Sequence, residues 1–438
     1  MNENSKQNST ELYQWPSISY EELAWQDGAG SNAKNGSGNS ASKNASKTAE
    51  KALGEFGFGS DRPIRSTETF YQAALPLLIA DRSVTIPEDL STRISAILVE
   101  MARFDVELAQ RADNVPTMLL RSESSASSQI DRLTSTAQSV ALAELYPKAS
   151  SSARLVVANM AATEKALQLP PGLTLDGIMD VHSALIGEQQ IDNQTNSAFE
   201  KLRQKPVWLG GTSFTPHTAL FVPPAFHRVP EYMADLIEFG TRSDLDPVVK
   251  AAILYAQFQT VHPFLTANGP TGRALIHHVL REGGVLSSTL IPVSVGFLHN
   301  INSMLDALHL YREGDPLAIV EEVVSALEVA LFVSQVTESS IESLLDGWDE
   351  LVGHRKGSKI RQLPKTLVKQ PVVNSAYLAT SLGVTQRTAT TLILRACEYG
   401  MLRKMGKKER GDFYQSDAII SVLDEINEAS TFRSIRIA

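Results

Sequence analysis

The segment Val261–Leu280, VHPFLTANGPTGRALIHHVL, changes character halfway along. It opens on a His-Pro-Phe turn and continues through a loop of small residues, Ala267, Gly269 and Gly272. It ends in an apolar helical run of Ala274, Leu275, Ile276, Val279 and Leu280. Glycines at a helix start let backbone N–H groups approach a bound anion, and the helix dipole favours negative charge there. Pro270 suits the first turn, where its missing N–H would be an orphan donor anyway. Asn268 can donate from its amide, and Arg273 can fork onto phosphate oxygens. His262, just ahead of the loop, is placed to take a proton from a hydroxyl attacking a bound phosphate. On spacing alone, a Gly-rich loop before a helix is a weak signal, and a lone histidine is more often a packing residue.

Outward from this segment, the pattern is helical from Thr67 to about Arg355. Leu90–Leu108, Leu173–Leu185, Val229–Phe239, Pro247–Thr260, Gly272–Glu282 and Leu317–Val333 all place apolar residues three and four apart. Pro230 and Pro247 fit helix starts. Val207–Pro224, VWLGGTSFTPHTALFVPP, instead has two short apolar runs divided by turn residues and reads as a β-hairpin. His182, His277 and His278 lie among apolar helical neighbours and are expected to be packing groups.

Near the C-terminus, Asn374–Leu382 reads as a short helix, Gly383-Val384-Thr385 as a turn and Gln386–Glu398 as a second helix, with Gly400 where a C-cap is wanted. Met401–Tyr414 has the apolar, basic and turn residues of a small β-wing. A helix-turn-helix with a wing is a DNA-binding arrangement. Arg387 would open the second helix, and Arg403, Lys404 and Lys407 would meet phosphates from the wing. Such units also serve as protein-docking modules. Charge favours DNA: Gly353–Asp412 holds thirteen Lys or Arg against three acids, +10, in a chain of net charge −9, so the remainder carries −9 − 10 = −19.

The 438 residues, 43% hydrophobic and 20% charged, suit a soluble protein of two or three domains. The one cysteine, Cys397, excludes a disulfide within the chain and fits a reducing compartment. No apolar leader or membrane-length run is present, so a cytoplasmic location is expected. Residues 1–26 carry Tyr13, Trp15, Tyr20 and Trp25 and read as an arm packed on the body. Residues 27–52, rich in Gly, Ser, Asn, Ala and Lys, read as a flexible linker. No Cys/His/Asp cluster has metal-ligand spacing.

Taken whole, Val261–Leu280 resembles the signature of the Fic (Fido) family: His-Pro-Phe, any residue, Asp or Glu, Gly-Asn-Gly-Arg, two residues, Arg. His262, Pro263, Phe264, Asn268, Gly269 and Arg273 match in register. Thr266 replaces the acid, Ala267 the first glycine and Pro270 the first arginine. Ala73–Asp81 (AALPLLIAD) resembles the family's N-terminal segment. Arg203 with VWLGG and FVPP resembles its target-clamping flap, and Asn374–Tyr414 the winged helix that many members append. Ser127–Arg132 is similar to the family's inhibitory helix motif, with Asp131 in the glutamate place and Arg132 in the glycine place.

The resemblance implies a mainly α fold: a Fic-type helical bundle with a β-hairpin flap, plus a C-terminal winged helix-turn-helix domain. The expected divisions are a helical region at 53–165 bearing the inhibitory segment, the Fic domain at 166–345, the winged helix at 355–420 and a tail at 421–438. It implies transfer of AMP from ATP to a Tyr, Thr or Ser hydroxyl of a protein target, with His262 as the base. Thr266, Ala267, Asn268, Gly269, Pro270, Thr271, Gly272 and Arg273 would hold the nucleotide. Trp208, Leu209, Gly210 and Gly211 would present the target, and Ser127 and Asp131 would inhibit. Mg²⁺ belongs to this chemistry, but its acidic ligand is missing here, and a neutral hydroxyl substitutes poorly for it. Weak or absent turnover is therefore expected. The competing reading is a non-catalytic nucleotide sensor or DNA-binding regulator using the winged helix. A homodimer is left open.

Overall fold

The computed structural model describes residues 15–25, 69–111, 114–187, 201–212, 215–352, 359–408 and 411–427. The expected linker at 27–52 and the first residues of the arm lie outside the described residues. The fold is mainly helical. Strands β1 (Ser19–Ala24) and β2 (Phe70–Leu75) pair antiparallel, Ser19 opposite Leu75. Helices α1 (Glu88–Gln110), α2 (Val115–Ile130), α3 (Ala137–Leu145), α4 (Ser151–Leu167) and α5 (Leu175–Ile186) follow. Next come α6 (Val229–Gly240), α7 (Pro247–Val261), α8 (Asn268–Glu282), α9 (Val293–His299), α10 (Ile301–Arg312) and α11 (Pro316–Val352).

Local chemistry sets many of these boundaries. Thr136, Ser150, Thr174 and Asp246 each accept a backbone N–H at the start of α3, α4, α5 and α7, satisfying a donor that has no partner within the helix. Helix α7 is the central rod, with Val248–Val261 buried throughout. Its apolar residues therefore point in all directions, as suits a helix surrounded by protein. Helix α8 lies close against it because Gly272 has no side chain. A Cβ there would fall 2.5 Å from Gln259 Nε2 and 3.0 Å from Phe258 Cδ1.

The C-terminal unit comprises α12 (Leu363–Lys369), β3 (Val372–Val373), α13 (Ser375–Leu382), α14 (Gln386–Glu398), β4 (Arg403–Lys408), β5 (Gly411–Gln415) and α15 (Asp417–Asn427). Its sheet has the order β3-β5-β4, with antiparallel neighbours. Asn374 caps α13 and Thr385 caps α14, while Gly383 turns between them at φ 61°. The unit is not detached from the body. Helix α3 covers its sheet: Ala141 packs with Val372 and Phe413, and Tyr146 lies edge-on to Phe413 at 6.2 Å.

Several expectations need correction. Val207–Pro224 is not a regular β-hairpin: the described part holds only isolated bridges, Leu209 to Phe221 and Thr212 to Thr215, and a 3₁₀ turn at Pro216–Thr218. Pro216, Pro223 and Pro224 lack the N–H groups that a ladder would need. Helix α8 starts at Asn268 rather than Gly272, because Pro270 falls inside the first turn. Helix α11 continues to Val352, beyond the boundary expected at 345. The expected tail begins inside α15, whose Ile419, Ile420, Leu423 and Ile426 are buried.

Candidate functional site

The chain reaches His262 at the end of α7 and leaves it in the left-handed region, φ 52°. For a non-glycine residue this backbone is uncommon, and surrounding contacts must hold it. Arg203 supplies them. Its Nε donates to His262 O at 2.8 Å, and its Nη2 donates to Pro224 O at 2.5 Å and Val261 O at 3.4 Å. Its Nη1 donates to Lys205 O at 3.3 Å. One buried guanidinium thus ties the histidine turn to the base of the flap through four backbone carbonyls. Burial lowers its pKa to about 10.

The His262 ring is half-buried, with Nδ1 3.4 Å from Gln259 O. A proton on Nδ1 would point to that carbonyl and leave Nε2 as the acceptor. Burial first, and the Arg203 charge second, lower the ring's pKa to about 3, so the imidazole is neutral near pH 7.

The loop after His262 is braced from within. Asn268 Oδ1 accepts from Phe264 N, and Asn268 Nδ2 donates to Phe264 O, both at 2.9 Å. Thr271 Oγ1 donates to Ala267 O at 2.7 Å. Asn268 and Thr271 are buried, so these two candidate nucleotide ligands hold the loop in shape, and neither side chain lies open at its mouth. Gly272 likewise serves packing. Ala267 sits at φ 58°, a backbone suited to the glycine it replaces. Thr266, Ala267, Gly269 and Pro270 remain partly exposed along the loop and first turn of α8.

Arg273 is 2% exposed. Its Nε donates to Ser127 Oγ, and its Nη2 to Ser127 O and Asp131 Oδ2, each at 2.9 Å. A Cβ added to Gly269 would lie 3.0 Å from Asp131 Oδ1. The carboxylate therefore reaches the start of α8, the place where a helix favours an anion. Burial raises the Asp131 carboxyl above the usual aspartate value despite the pull of Arg273. Burial alone would lower Arg273, but the Asp131 charge raises it overall. Arg132, in the family's glycine place, adopts φ 59°. Its N–H donates to Gln129 O, and that of Leu133 to Ser128 O, closing the end of α2.

A second polar contact between α2 and the body was not foreseen. Glu123 accepts from Ser294 N at 2.9 Å and Ser294 Oγ at 2.5 Å, and its Oε1 lies 3.2 Å from His277 Nε2. Glu123 and His277 are both buried. Spacing could have exposed this contact. Glu123 and Ser127 on α2 and Asp131 at its cap follow at intervals of four, as do Arg273 and His277 on α8. His182, expected to pack, stacks on Phe264 with centroids 3.7 Å apart.

The end of the flap is tied to the histidine turn through Arg203, which bonds both Pro224 O and His262 O. Trp208 Nε1 donates to Thr212 O at 2.7 Å, and its ring meets Trp25 of the arm edge-on at 5.7 Å. Leu209 exchanges backbone bonds with Phe221, and Gly210 and Gly211 turn at φ 73° and 72°. In the C-terminal unit, Arg387 is exposed on α14. Arg403 pairs with Asp417 at 2.6 Å and Lys404 with Asp412 at 2.8 Å. Lys407 lies in β4 opposite Asp412. Among the described residues, no group of three or more His, Cys, Asp or Glu could hold a metal, and no helix is long and apolar enough to cross a membrane.

Residues 172–280 match the model of the Fic/DOC family, and the chain is a Fic domain protein. It is 26% identical over 162 residues to protein adenylyltransferase fic-1 of Caenorhabditis briggsae, covering 36% of this chain and 28% of that one. It is 24% identical over 191 residues to a probable protein adenylyltransferase of Aquifex aeolicus, covering 43% and 56%. The chain thus spans less than two thirds of each relative. A crystal structure of a Fic family protein from Desulfovibrio desulfuricans has a TM-score of 0.49 at 20% identity, covering 76% of this chain and 97% of that one.

Proposed function

We propose that this chain is a nucleotide-binding Fic protein of the protein adenylyltransferase type, held closed by Asp131 and slow in turnover. One observation carries the reading: in α8, the helix that follows His262, the buried Arg273 is already engaged at 2.9 Å by Asp131, the residue that caps α2. ATP phosphates would take the place of the Asp131 carboxylate at Gly269 and Arg273. A target hydroxyl oxygen would attack the α-phosphate while His262 Nε2 takes its proton, forming the P–O bond to the target and releasing pyrophosphate. The flap would align the target backbone beside Leu209.

A divalent metal does not fit this site as a resident group. Thr266 offers a neutral hydroxyl, and the nearby Asp131 carboxylate is engaged by Arg273. No step is therefore assigned to a metal. Lost electrostatic groups typically cost on the order of 10²–10³ in rate each, which supports slow turnover. The test is incorporation of labelled AMP into the protein or a partner by wild type, Asp131→Ala and His262→Ala. Label in Asp131→Ala that disappears on adding His262→Ala supports catalysis. Equal label with and without His262 refutes it.

A second reading concerns the C-terminal unit, which we assign as a winged helix facing DNA. Gln386, Arg387, Thr388, Thr390, Thr391 and Arg395 are exposed on α14 beside one apolar residue, Leu394, with no carboxylate before Glu398. Binding to duplex DNA that weakens with salt, and weakens again on Arg387→Ala, is expected. No retardation at low salt would overturn this assignment.

A further inference from the structure

We propose that the C-terminal unit is the control element of the nucleotide site and acts on Asp131 through α3. This deepens the reading above and rests on its claim that Asp131 closes the site. Asp131 caps the end of α2, and a short turn, Asp131–Thr136, leads directly into α3. One end of that turn is held by Arg273. The other is built into the C-terminal unit. Ala137 N donates to Asp424 Oδ1 of α15 at 3.2 Å, and the Gln138 amide donates to Gln415 of β5. Ala141 is fully buried beside Phe413 and Val372, so α3 serves as one layer of that unit's core.

The same unit grips the helix before the turn. Ile426 of α15 packs in one cluster with Ala126, the residue just ahead of Ser127. Arg121 pairs with Glu144 through two 2.9 Å bonds and fixes α2 against α3. The turn runs partly exposed between these fixed points, with Arg132 strained at φ 59°. A strained, exposed turn between two docked helices responds to their relative movement. Phe413 lies on β5, and its neighbour β4 carries Arg403 and Lys404, which the sequence reading turned toward phosphates and which here pair with Asp417 and Asp412. A load on that hairpin reaches α3 across a single sheet. By linkage, a partner engaging the unit changes ATP affinity, and ATP changes that partner's affinity by the same factor.

Amide hydrogen exchange on the full chain tests this without any ligand. Phe413→Ala removes the ring between α3 and the sheet, and Asp424→Ala is a milder break at the start of α3. Both are expected to speed exchange across 128–136 by roughly tenfold while α7 and α8 keep wild-type rates. ATP should bind both variants several-fold more tightly than wild type. Faster exchange confined to 137–146 and 403–427, with 128–136 unchanged in both variants, overturns the linkage. Should ATP bind neither these proteins nor Asp131→Ala, the nucleotide reading fails, and the exchange pattern still decides whether the turn answers to the C-terminal unit.

Discussion

Replacing Asp131 by alanine removes the carboxylate that Arg273 holds at 2.9 Å. The pair lies between two regimes, since Arg273 is 2% exposed and the Asp131 side chain 20%. Breaking a fully buried pair costs about 3–5 kcal/mol, whereas exposed pairs contribute less than about 1 kcal/mol. Here Ser127 keeps two bonds to the guanidinium, and water can enter where Asp131 stood. A loss of about 1–2 kcal/mol in folding stability follows. The same contact is what a triphosphate must displace, so its removal should tighten ATP roughly fivefold to thirtyfold. Denaturant unfolding gives the first quantity and displacement of a fluorescent nucleotide the second. Lower stability with unchanged or weaker ATP binding would refute the idea that Asp131 and phosphate compete for Arg273.

Three further outcomes are expected. Arg203→Lys should lower stability by about 2–4 kcal/mol in urea, because an ammonium cannot reproduce a guanidinium fork spread over four carbonyls. Ala267 at φ 58° should tolerate glycine with little change in stability, while Ala267→Val should lose about 1–2 kcal/mol by thermal unfolding. Burial lowers the His182 pKa to about 4, against about 6.5 in the unfolded chain. The stabilising contribution of neutral His182 is complete above pH 6.5 and declines as pH falls toward 4, by up to about 3 kcal/mol. Denaturant midpoints between pH 4 and 7 should therefore fall less steeply for His182→Gln, and an equal slope would count against this assignment.

Helix α14 could be read to the residue, because Thr385 and Gly400 punctuate a clear amphipathic run. The Asp131–Arg273 contact was reachable only through family resemblance, since 142 residues separate the partners. Other features followed from contacts that local pattern does not carry. Asn268 looks like a free donor in sequence, but Phe264 takes up its amide once the turn closes. Val207–Pro224 has hairpin-like composition, yet its prolines leave too few N–H donors for a ladder. The pairing of β1 with β2 joins segments separated by a polar stretch, and only register in space reveals it. Glu123 went unread in its serine-rich helix, where only the four-residue spacing with Ser127 and Asp131 hints that it is buried against Ser294 and His277.

The most direct test compares ATP binding by calorimetry in Asp131→Ala and in the double variant Asp131→Ala, Arg273→Ala. With the competing carboxylate gone from both, the account predicts clear binding in the first and a loss of at least about tenfold in the second, as befits removal of a buried, charge-assisted phosphate contact. Equal affinity in the two proteins would contradict the claim that the start of α8 is where this chain holds a nucleotide.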